Sequence, residues 1–107
     1  DVFKGQVLGH GSVAVVVEDC VSAAVVGYGS FVGVALLGTS LSDSHKGYLS
    51  QFSTAVIALD PDALPKTIQM AKQLKGYVND VRVLRLKDDF KYRNPEDMEN
   101  LYGIITN

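Results

Sequence analysis

The sequence predicts an α/β domain, built on a sheet of about four mainly parallel strands flanked by helices. Three observations carry this. Val13–Val17, Val32–Leu37 and Thr54–Leu59 are short apolar runs rich in β-branched residues, apolar at both alternating positions. That pattern belongs to strands buried on both faces, as in a parallel sheet covered by helices on two sides. Each run is followed by a segment of helical spacing, and the alternation has short connections, which implies right-handed crossovers.

The elements follow in order. Asp1–Ser12, punctuated by Gly5, Gly9 and Gly11, reads as an irregular or hairpin-like lead-in. Val13–Val17 is the first strand and ends in Glu18. Asp19 caps a helix over Cys20–Val26, with Val21, Ala24 and Val25 at helical spacing and Gly27 ending it. Val32–Leu37 is the second strand. Ser42 or Asp43 caps a short helix running to about Phe52. Thr54–Leu59 is the third strand, closing in Asp60-Pro61-Asp62. Pro65 then opens the clearest helix, with a stripe of Leu64, Ile68, Ala71 and Leu74 and a stop at Gly76. Asp80–Leu86 alternates polar and apolar, the mark of a strand with one exposed face at a sheet edge. After Lys87-Asp88-Asp89, Asn94-Pro95-Glu96-Asp97 starts a last helix with Met98, Leu101, Tyr102 and Ile105 inward.

At 107 residues the chain is one domain: a lead-in (1–12), a core (13–89) and a C-terminal helix (90–107). It opens at Asp1, which predicts a piece of a larger protein. Ten Lys and Arg against twelve Asp and Glu give a net charge of -2. That balance excludes a free-standing, strongly basic nucleic-acid binder, but allows a domain that borrows basic surface from a neighbour. Cys20 is the only cysteine, so there is neither a disulfide framework nor a thiolate zinc site. No apolar run spans a membrane, and the expected location is the cytoplasm.

The candidate chemistry is acidic. Parallel strands bring all their carboxyl ends to one sheet edge, which gathers Glu18, Asp60, Asp62 and the Lys87-Asp88-Asp89 group there. If the first and third strands are neighbours, Glu18 faces Asp60 and Asp62 across one crevice. Hard oxygen ligands suit Mg²⁺ or Mn²⁺, and like charges this close call for a cation. On this reading Asp60 and Asp62 anchor metal, while Glu18 binds a second ion or moves a proton. Lys87 is either a solvated strand-end lysine or a point charge for a phosphate. Asp19 and Asp43 read as caps.

Val15-Val16-Val17-Glu18 with Ser22-Ala23, Ala35-Leu36-Leu37-Gly38-Thr39-Ser40-Leu41, and Val56-Ile57-Ala58-Leu59-Asp60-Pro61-Asp62 together resemble the Toprim domain, a Rossmann-like fold. Gly38-Thr39 and Lys87-Asp88 are most similar to its primase branch, bacterial or phage primase-helicase. The resemblance spans about Val13–Asp89. It implies magnesium-dependent nucleotidyl transfer making RNA primers on a DNA template, with Glu18 as acid or base and Asp60 and Asp62 holding metal. It further implies Gly38, Thr39, Lys87 and Asp88 as supports near the incoming nucleotide. Partners would be template, primer and nucleoside triphosphates through neighbouring domains, with a possible helicase, in the host cytoplasm if phage-encoded. A Toprim-type nuclease and a non-catalytic replication module are the alternatives. Asp19 and Leu64 stand where members often carry glycine.

Other motifs are set aside. Gly27, Gly29 and Gly33 lack dinucleotide-fingerprint spacing and precede a strand, and no P-loop is present. A response-regulator receiver would carry its acid pair after the first strand, not the third. His10 and His45 lack partners at metal-ligand spacing, Cys20 reads as a small core residue, and the five tyrosines form no stacking pattern.

Overall fold

Val13–Val17 is buried at every position and runs through the middle of the sheet. A computed structural model describes residues 5–8, 12–27, 29, 31–36, 41–88 and 90–106. The strands are β1 (Gly5–Leu8), β2 (Val13–Val17), β3 (Phe31–Leu36), β4 (Thr54–Ile57) and β5 (Asp80–Val83). The helices are α1 (Cys20–Val26), α2 (Asp43–Leu49), α3 (Leu64–Leu74) and α4 (Pro95–Thr106). Sheet order is β1-β3-β2-β4-β5. Strands β3, β2, β4 and β5 are mutually parallel, the α/β Rossmann-like arrangement that the alternation predicts.

Successive side chains of a strand point to opposite faces, and β2 divides its residues accordingly. Ala14 and Val16 join Val34, Ile57, Leu49, Met70 and Leu74 on the face covered by α2 and α3. Val13, Val15 and Val17 join Val56, Ala23, Val26, Phe90 and Leu101 on the face covered by α1 and α4. Two cores back to back explain why the strand sequences carry no polar face.

Local chemistry sets the helix starts. Asp19 accepts from the Ser22 backbone N–H at 2.8 Å and from its hydroxyl at 3.2 Å, capping α1. Ser42 accepts from the His45 N–H at 3.2 Å, and His45 Nδ1 accepts from the Ser42 N–H at 3.0 Å. This is a capping box with buried histidine in the place usually taken by glutamate.

Five expectations are corrected. Within the lead-in, Gly5–Leu8 is a regular edge strand, antiparallel to β3. Helix α2 ends at Leu49, short of Phe52. On α3 the buried positions are Thr67, Met70, Ala71 and Leu74, while Ile68 is 42% exposed. Two stripes one residue apart compete on this helix, and Thr67 can go inside because its hydroxyl donates to the Ala63 carbonyl at 3.0 Å. Strand β5 lies at the edge as expected but stops at Val83, with one further bond from Leu84 N–H to the Ile57 carbonyl at 3.0 Å. Leu86 then turns into the α1/α4 core. On α4, Leu101 is buried, but Tyr102 is 40% exposed beside the Phe31 ring, and the residue wholly inside the first turn is Asp97. The Ile105 side chain lies outside the described residues. No helix among the described residues is long and apolar enough to cross a membrane.

Gly33 fixes the distance between α1 and the sheet. A Cβ there would stand 2.1 Å from the Ala23 carbonyl oxygen, a backbone atom that moves only with its helix. Around exposed Gly47 in α2 there is open space. Gly33→Ala should therefore destabilise by about 1–3 kcal/mol, whereas Gly47→Ala should stabilise by roughly 0.5–1 kcal/mol. Urea unfolding of both variants checks the opposite signs.

Candidate functional site

From β2 the chain crosses by α1 to β3 on one side, then returns by α2 to β4 on the other side. The order of travel reverses between β2 and β4, so this is the switch point at which open α/β sheets bind ligands beyond their strand ends. Val16 pairs with Ile57, and the Ala58 N–H donates to the Val16 carbonyl at 2.9 Å. Extending that register sets Glu18 level with Leu59, one residue before Asp60. The first and third predicted strands are neighbours, and both acids are half-buried.

Pro61 shapes the second acid's position. The residue before proline is held extended, and Asp60 has ψ 149°. Proline's fixed φ then opens a single 3-10 turn, Pro61–Ala63, closed by the Ala63 N–H on the Asp60 carbonyl at 2.9 Å. Asp62 sits in that turn, exposed.

Asp60, Asp62, Lys87, Asp88, Lys91 and Tyr92 line one open cleft of about 330 Å³. Beside it lies a smaller, mainly apolar hollow of about 120 Å³ between Asp60, Leu64, Leu84 and Leu86. The structure thus brings together four of the residues singled out in the sequence: Asp60, Asp62, Lys87 and Asp88. Glu18 is at the adjoining strand end but is not among the described residues of the cleft wall. Gly38, Thr39 and Asp89 lie outside the described residues. Asp19 is committed to capping α1.

The Lys87-Asp88 segment is held from α4. Asp97 is 1% exposed, and its carboxylate accepts from the Lys87 N–H at 2.9 and 3.0 Å and from the Asp88 N–H at 3.1 Å. Asn94 accepts from the N–H groups of Glu96 and Asp97 at 3.0 and 3.3 Å, and its amide donates to Asp88 at 3.0 Å. Lys87 Nζ pairs with Glu96. That hydrogen bond and charge raise the Lys87 pKa above its ordinary value. Lys87's contribution through this pair is therefore present at neutral pH and is lost as pH climbs through the raised pKa. Both groups are exposed, so salt screens it. Sequence reading recognised Asp97 and Glu96 only as helix-start acids, because nothing in the spacing says that one of them turns inward to hold a loop.

A resident cation was expected from the acids. All donors are hard oxygens. Among the described residues no three carboxylate, imidazole or thiol groups converge closely enough to hold an ion by themselves. Mg²⁺ needs only one or two carboxylates and completes its shell with water and substrate phosphates. Asp60 and Asp62 in one open cleft fit that kind of site.

Comparison with family models, characterised proteins and solved structures gives no match.

Asp97→Asn keeps the shape but turns an amide donor toward two N–H groups, and should cost about 1–3 kcal/mol. Asp97→Ala should cost about as much or more, with faster hydrogen exchange at the Lys87 and Asp88 amides. Glu96→Gln should leave the urea midpoint unchanged at moderate salt. Denaturation and exchange of the three variants check the clamp.

Proposed function

We propose that the domain performs metal-dependent nucleotidyl transfer, as the Toprim-type catalytic part of a DNA primase making RNA primers on a DNA template. The observation that supports this best is the adjacency of β2 and β4, which ends Glu18 and the Asp60-Pro61-Asp62 turn on neighbouring strands at the switch point. The mixed cleft beside them, lined by Asp60, Asp62 and Asp88 together with Lys87 and Lys91, offers carboxylates for a cation and two ammonium groups for a polyphosphate.

In this mechanism Asp60 and Asp62, with Glu18, are the residues that would hold magnesium or manganese. When bound, the ion offsets triphosphate charge and acidifies the attacking hydroxyl. Glu18 takes the proton of the primer 3′-hydroxyl on a carboxylate oxygen as the 3′-oxygen bonds the α-phosphorus. The bond from the α-phosphorus to the bridging oxygen breaks, and pyrophosphate leaves. Lys87, aimed by its bond to Glu96 and by the Asp97 hold on its backbone, offers a point charge to the phosphates. With a net charge of -2, the domain relies on neighbouring basic surface to grip template and primer.

A second reading is a non-catalytic replication module, favoured by Asp19 and Leu64 at positions where Toprim members often carry glycine, Asp19 serving as the cap of α1. The test joins the domain to its native flanks and supplies single-stranded template, nucleoside triphosphates and magnesium. Primer synthesis is expected, and Glu18→Gln should lower it at least about 10²-fold with unfolding unchanged. Synthesis that survives Glu18→Gln removes the proposed base. Phosphodiester cleavage without synthesis moves the reading to a nuclease, and inactivity of the rejoined protein moves it to the module.

A further inference from the structure

The 3-10 turn Phe90–Tyr92 presents side chains that the acidic centre does not account for. Phe90 is fully buried against the α1/α4 face of the sheet, and the Arg93 N–H closes the turn on the Phe90 carbonyl at 2.9 Å. Arg93 itself has φ 55°, a left-handed conformation uncommon for a residue with a side chain. Such an outlier persists only where its surroundings over-determine it, and it invites a functional explanation. Its effect here is a division of labour. Lys91 and Tyr92 belong to the wall of the Asp60–Asp62 cleft, while Arg93 lines a different hollow, with Met98 and Tyr102.

Tyr92 is 69% exposed, the highest value among the large hydrophobic side chains of the described residues. Lys91 Nζ lies 5.4 Å from its ring centroid. An anchored turn that holds an aromatic ring in water, with a cation over it, on the wall of a 330 Å³ cleft that also carries Asp60, Asp62, Asp88 and Lys87, is poorly explained by packing. It matches a ligand with a flat π-system at one end and several negative charges at the other. Stacking on a ring tolerates any base, and an ammonium serves a phosphate as a point charge.

We infer that Lys91 and Tyr92 form the positioning subsite for a nucleoside triphosphate: Tyr92 stacks the base, and Lys91 with Lys87 neutralises the phosphates that lie toward Asp60 and Asp62. This rests on the nucleotidyl-transfer reading, which already counts the Lys91 charge, and adds a base-stacking role for Tyr92 that the reading does not use. No chemical step falls to either residue.

Calorimetric titration of the 107-residue chain with ATP and with inorganic tripolyphosphate, magnesium in excess, tests the assignment. Tyr92→Ala should weaken ATP by about tenfold, one stacked base's worth, and leave tripolyphosphate unchanged. Tyr92→Phe should bind both like the parent. Lys91→Ala should weaken both ligands alike. Lys91 and Tyr92 are exposed, and far-UV circular dichroism verifies that the variants fold. ATP affinity unaffected by Tyr92→Ala, or tripolyphosphate affinity unaffected by Lys91→Ala, overturns the subsite. So does a Tyr92→Ala loss confined to single-stranded oligothymidylate, which would make the ring a template contact. Manganese titration separates the two levels. Affinity that ignores Asp60→Asn/Asp62→Asn removes the metal centre, whereas intact manganese binding with unaltered ATP binding removes only Lys91 and Tyr92.

Discussion

One five-residue strand, bonded along both edges and covered on both faces, constrains everything else in this domain. Strand β2 pairs with β3 through Val13–Val17 and with β4 through Val13–Val16, so its backbone groups are satisfied in the sheet. Its side chains feed two separate cores. A polar substitution in this strand would strand a hydrogen-bonding group in one core or the other. The central place of β2 also forces the chain to leave it in one direction and come back past it in the other. The crevice between β2 and β4 is therefore a product of topology before any functional residue is considered, and Glu18 and Asp60 inherit their neighbourhood from it.

The other side of the cleft depends on a buried carboxylate. Beyond Val83 the chain has left the sheet ladder, and Lys87 and Asp88 would otherwise follow an exposed loop. Asp97 replaces the missing ladder partner by taking their N–H groups from the first turn of α4, a turn that Asn94 caps. Phe90 fixes the following turn from the core. The cleft thus has one wall set by the sheet and one set by a helix start, and its cations sit on the helix-held wall.

The sequence made the fold class legible because buried parallel strands and capped helices write themselves locally. Val13–Val17 and Thr54–Ile57 have no polar face to hide, and Asp19 and Ser42 each stand at a helix start. What stayed hidden depends on choices made at a distance. The burial of Thr67 over Ile68 rests on which of two adjacent stripes meets the sheet. Gly5–Leu8 becomes a strand only because β3 offers it an edge. Asp97 looks like any first-turn acid until the loop it holds is present. For the site, Asp60, Asp62, Lys87 and Asp88 were legible as strand-end residues that topology collects. Lys91 and Tyr92 were not, since a turn between two elements has no periodicity to mark which way it faces.

The central claim is that Glu18 and the Asp60-Pro61-Asp62 turn act as one cation centre at the switch point between β2 and β4. Anomalous diffraction from crystals of the chain soaked in manganese and a nucleoside triphosphate tests it most directly. The account predicts a manganese peak at the carboxyl ends of these two strands, bonded by Asp60 or Asp62, with Glu18 on the same ion or a second one beside it. Ordered triphosphate with no manganese near these three acids, or manganese bound elsewhere on the domain alone, would contradict it.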